Sequence, residues 1–99
     1  FAMAPWLPFI RGTLAAVLLE QGDYVRAVDD ALEAARIFSE DHSPVSVEGR
    51  ASNLATAALA HYRQGNIQDA NRLLREAKQL AAHDEMVEKA SAIITLPKV

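Results

Sequence analysis

Three histidines are the side chains of this 99-residue chain best suited to catalysis or metal binding. Two stand beside a carboxylate, as Asp41-His42 and His83-Asp84, and imidazole with carboxylate is a donor set for zinc and for general-base chemistry. Were these two corners of the chain to stack side by side, a two-His, two-Asp metal site could form. The competing reading is that a histidine near a helix C-terminus suits the negative end of the dipole, and it is preferred. A metal-binding or enzymatic protein using His42 and His83 is therefore the least favoured function. His61 lies inside a helical run and is expected as a buried, hydrogen-bonded neutral side chain rather than a pH switch. Ser39, Ser43 and Ser46 gather near Asp41 and His42, but at a helix boundary, where hydroxyls serve as caps. Gly22 and Gly65 belong to separate turns, so there is no Gly-rich phosphate loop. No nucleophile–base constellation emerges, and neither a catalytic residue nor a cofactor is expected.

The composition narrows the class. The apolar fraction is 51%, much of it alanine, which favours close helix packing and an all-helical chain. A chain of this length suits one small domain that buries roughly two-thirds of its unfolded surface. The net charge of −3 and the absence of a basic run argue against a nucleic-acid surface. Without cysteine there is neither a disulfide framework nor a zinc–thiolate site. The apolar run Leu14 to Leu19 falls far short of the roughly 18 residues that a membrane span requires. No signal-peptide pattern opens the chain, and a cytoplasmic setting is expected. A chain opening on Phe1 is expected to be part of something longer.

The elements that position these residues turn on Gln21-Gly22-Asp23-Tyr24 and its echo Gln64-Gly65-Asn66-Ile67. A Gly followed by Asp or Asn ends one helix in the left-handed conformation and caps the start of the next. Each turn is followed by alanines five and twelve residues past its Gly: Ala27 and Ala34, then Ala70 and Ala77. These form a small-residue stripe on the second helix of an antiparallel hairpin. The first hairpin is expected over about 7–40, with Leu7, Ile10, Leu14, Val17 and Leu18 as the apolar spacing of its first helix. The second covers about 44–82, opened by Ser43 as cap and Pro44 in the first turn. Gly49 weakens that start by about 1 kcal/mol relative to alanine and moves the expected onset toward Arg50. A terminal helix over about 84–95 carries Met86, Val87, Ala90, Ile93 and Ile94 on one side. No strand is expected.

These turns and alanines resemble the tetratricopeptide (TPR) repeat over roughly Leu7 to Ala82. Leu14-Ala15 and Ala57-Ala58 stand where that family has a Leu-Gly-like pair. Arg11 and Leu54 replace its first-helix tryptophan, and Ser39 and Ala82 stand where a proline usually ends the second helix. The period of 43 residues is longer than the usual 34. Such long units resemble kinesin-light-chain-like repeats, and also the helical arms of large bacterial transcription activators and signalling ATPases. The resemblance implies an all-α, right-handed α-solenoid fragment of two antiparallel hairpins plus a C-terminal helix.

First helices line the concave face of such a solenoid. Alignment on the turn glycines then assigns Phe9, Gly12, Ala16, Leu19 and Glu20 to a groove, with Ser52, Ala55, Thr56, Leu59, Tyr62 and Arg63 opposite. The family's carboxylate clamp uses Lys, Asn and Arg at such positions; here they are mainly apolar. The resemblance thus implies a non-catalytic module binding a peptide or helix of a partner protein by apolar contact. The alternative is a structural or effector-sensing segment of a larger signalling protein or transcriptional regulator. Phe1, Trp6 and Phe9 at one end, and Ile94, Leu96 and Val99 at the other, suggest self-association through the ends or the groove.

Overall fold

In the computed structural model, residues 6–95 are described and fold as five helices with no strand. They are α1 Leu7–Gln21, α2 Tyr24–Phe38, α3 Pro44–Arg63, α4 Ile67–Ala81 and α5 Glu85–Thr95. Each is built by local signals. Pro8 sits in the first turn of α1, where a missing N–H costs nothing. The Ser43 hydroxyl accepts from the Ser46 N–H at 3.3 Å, and Pro44 follows at N1. Asp84 opens α5 by accepting from the N–H groups of Met86 and Val87 at 3.0 and 3.2 Å.

Both hairpin turns share one geometry. Gly22 and Gly65 take φ of +82° and +83°, a conformation that an L side chain enters at a cost of about 1–2 kcal/mol. After each, the chain folds its N–H groups back onto orphan carbonyls. Asp23 N donates to Leu18 O and Asn66 N to His61 O, both at 2.9 Å, while Gly22 and Gly65 donate to Leu19 O and Tyr62 O. This is a Schellman closure, repeated with the same spacing. The caps that follow differ. Asp23 accepts from Arg26 N at 3.4 Å, whereas Asn66 makes no side-chain cap. Its amide nitrogen lies instead 3.3 Å from His61 Nδ1. The expected cap at Asn66 is thus replaced by a bond back to α3, because an amide carries a donor that a carboxylate lacks.

The core lies around α3. Ala51 and every residue from Asn53 to Ala60 are buried, because α1, α2, α4 and α5 all pack against this helix. Five alanines in that run let four neighbours approach closely. The stripes on the second helices behave as the spacing requires: Ala27, Ala34, Ala70 and Ala77 are fully buried. On α5, Val87 and Ala90 are buried, with Met86, Ile93 and Ile94 packed against the core. Leu96, Val99 and Phe1 lie outside the described residues.

Two readings of the helices need correction. On α1, the core side is Ala15, Leu18 and Leu19, while Ile10, Leu14 and Val17 remain 55%, 42% and 46% exposed. The helix is apolar nearly all round, so periodicity alone does not say which side is covered. At Gly49, α3 does not begin late but continues from Pro44. A Cβ there would stand 2.7–2.9 Å from three atoms of the Phe38 ring. Gly49 is therefore the seat of a buried aromatic, which Phe9 meets edge-on at 4.9 Å between ring centroids. Gly49→Ala is expected to lose about 1–2 kcal/mol in urea denaturation, overpacking outweighing the gain in helix propensity. In a Phe38→Leu background the same change should turn neutral or stabilising.

Candidate functional site

The first helices of the hairpins and α5 enclose a shallow cleft of about 340 Å³. Phe9, Gly12, Thr13 and Ala16 line it from α1, Ser52, Asn53 and Thr56 from α3, and Met86 from α5. Close approach of α1 to α3 requires Gly12: a Cβ there would come within 2.9 Å of the Asn53 amide oxygen. Asn53 is 7% exposed and donates from Nδ2 to Gly49 O at 2.8 Å. The Thr56 hydroxyl donates to Ser52 O at 3.0 Å. Among the described residues no buried side-chain polar atom lacks a partner, so the floor is satisfied before any ligand arrives. The walls are aromatic and aliphatic, suited to apolar side chains.

The residues aligned to the groove divide into three groups. Phe9, Ala16 and Ser52 line the cleft, together with Gly12 and Thr56. Leu19, Ala55 and Leu59 are 8%, 0% and 1% exposed and belong to the core. The physical cause is lateral covering: Met86 and Ile93 of α5 pack on the cluster that contains Leu19 and Leu59. Glu20, Tyr62 and Arg63 lie at the far end, with Glu20 and Arg63 exposed and Tyr62 half-buried. Glu20 pairs with Lys89 of α5 at 3.8 Å, so a charge bridge joins α1 to α5. Asn53, Phe38, Pro8 and Met86 complete the cleft. Hairpin alignment does not find them, because an inward polar residue on α3 and a methionine from the terminal helix become neighbours only after stacking.

The histidine corners also come together. His42 and His83 line one open hollow beside Glu48, Asp84 and Glu85, and both imidazoles are exposed. Among the described residues no set of three His, Asp or Glu side chains is arranged to hold an ion. Asp41 is committed elsewhere. Its carboxylate accepts from the hydroxyls of Ser43 and Ser46, each at 2.8 Å, and from Ser43 N at 3.2 Å. The Ser43 hydroxyl, then that of Ser46 and the backbone, hold this carboxyl below its ordinary value. A carboxyl depressed in the folded state contributes stability above its unfolded value, and that contribution disappears as pH falls through the folded one. Thermal melts should therefore show Asp41→Asn destabilised relative to wild type near neutrality. The gap should close as pH drops below about 4, the ordinary aspartate range.

His61 is half-buried rather than enclosed. An amide nitrogen can only donate, so its Nδ1 accepts from Asn66. No helix among the described residues is long and apolar enough to cross a membrane.

No curated protein and no solved structure matches the chain. The sequence model of the tetratricopeptide repeat matches residues 8–82, both hairpins with their turns. With two Schellman-closed hairpins in register, buried alanines at corresponding positions and a fifth helix stacked on them, the chain belongs to the tetratricopeptide repeat family.

Proposed function

We propose that this chain is a non-catalytic protein-interaction module that seats an apolar segment of a partner, a helix or an extended peptide, in the cleft between α1, α3 and α5. Tetratricopeptide repeats generally mediate protein–protein contacts, and the cleft is what supports this reading most here. It offers Phe9, Ala16 and Met86 as apolar walls around a hydrogen-bonded floor. Glu20, Arg63 and Lys89 supply charge near its end, where a partner's polar rim would set register.

The test is selection of amphipathic peptides against the whole chain, followed by methyl and amide NMR mapping. Selected peptides should shift Ala16, Ser52, Thr56 and Met86, and Ser52→Arg or Ala16→Arg should weaken binding tenfold or more without lowering the melting temperature. Shifts confined to other faces, or binding untouched by both arginines, would overturn the assignment.

A further inference from the structure

The side of α1 turned away from the core carries an exposed run of large apolar side chains. Trp6, Phe9, Ile10, Leu14 and Val17 are 62%, 49%, 55%, 42% and 46% exposed, and with Thr13 they line a single apolar trough. Trp6, Ile10, Thr13 and Val17 follow spacings of four, three and four, the seam along which one helix meets another. The only charged residue between positions 6 and 17 is Arg11, and it is turned to Asp30 of α2 at 3.5 Å. Glu20 at the end of the helix is engaged by Lys89. The strip is thus apolar, straight and free of charge that would oppose an identical strip.

We infer that α1 pairs with α1 of a second copy, antiparallel about a two-fold axis near Thr13 and Leu14. In this arrangement Ile10 lies against Val17 of the second copy, and Trp6 covers the end of the second α1. Antiparallel pairing opposes the two helix dipoles and keeps the two Glu20 side chains apart. The exposures correspond to about 500 Å² per chain, so pairing would remove about 1,000 Å² in total, the lower bound for a specific interface. The dimer is accordingly weak and reversible, at the small end of specific interfaces. It leaves Ala16, Ser52 and Met86 of the cleft open, while Phe9 belongs to both surfaces.

Trp6 is the only tryptophan and the chain has no cysteine, which makes the test clean. Sedimentation and tryptophan emission are measured on the 99-residue chain from about 1 to 500 μM, the concentrations at which weak association is populated. Expected are a shift to dimer and a concentration-dependent blue shift of Trp6. Ile10→Glu should weaken association at least tenfold, with helicity and melting unchanged. A milder Ile10→Ser serves if the carboxylate disturbs the fold. Val25→Glu, at an exposed apolar position on α2, should have no effect. Under mild oxidation Thr13→Cys should form a cross-linked dimer, since two-fold pairing brings position 13 to its own copy. A monomer at 500 μM overturns the inference. So does a blue Trp6 in a chain that sediments as a monomer, since the strip would then be covered within one chain. A dimer that survives both Ile10 variants, or one in which Thr13→Cys does not cross-link, would place the contact elsewhere or join α1 to a different face.

Discussion

Replacing Leu59 with alanine is expected to cost about 2–5 kcal/mol of folding stability, and to lower the melting temperature by about 10–25 °C. Leu59 is 1% exposed and, with Val87, one of the two largest fully buried side chains among the described residues. Leu18, Leu19, Ala27, Val28 and Ala60 surround it, with Met86 and Ile93 against the same cluster. Several of these neighbours sit on different helices, so the cavity left by truncation cannot collapse by moving one element. Net stabilities of small domains are about 5–15 kcal/mol, and this loss is a large share of that margin. Thermal and urea denaturation measure it directly. A variant that melts normally yet binds a partner less well would mean that Leu59 faces a ligand rather than the core.

The second large effect concerns the hairpin alanines. Ala27→Leu and Ala70→Leu should each destabilise by about 1–3 kcal/mol through overpacking. Both positions are fully buried, at the level where α2 leaves its turn beside α1 and α4 leaves its turn beside α3. Alanine and leucine have nearly equal helix propensity, so the change isolates packing from local preference. Ala92→Leu, on the exposed side of α5, is the matching control and should stay within about 0.5 kcal/mol. Equal midpoints for all three variants in urea would show that the paired helices are not in close contact at Ala27 and Ala70.

Much of the fold is legible in local chemistry. Gly22 and Gly65 mark left-handed turns because no other residue enters that conformation without cost, and the structure puts both there. Ser43-Pro44 and Asp84 mark helix starts because their groups satisfy, or do without, the orphan N–H bonds of a first turn. Ala27, Ala34, Ala70 and Ala77 mark the paired faces because only small side chains allow two backbones so near. Each of these signals acts within a few residues, so each survives being read along the chain.

What the tertiary structure decided is which side of an apolar helix is covered, and by what. Ile10, Leu14 and Val17 carry as strong a periodic pattern as Ala15, Leu18 and Leu19, yet only the second set is buried. Leu59 and Ala55 share a helix with Ser52 and Thr56, yet α5 and α1 close over the first pair and leave the second beside a cleft. Gly49 weakens a helix as a propensity and secures one as the seat of Phe38. In each case the deciding partner comes from a distant segment. Burial belongs to the pair of surfaces that meet, whereas helical periodicity describes one surface alone.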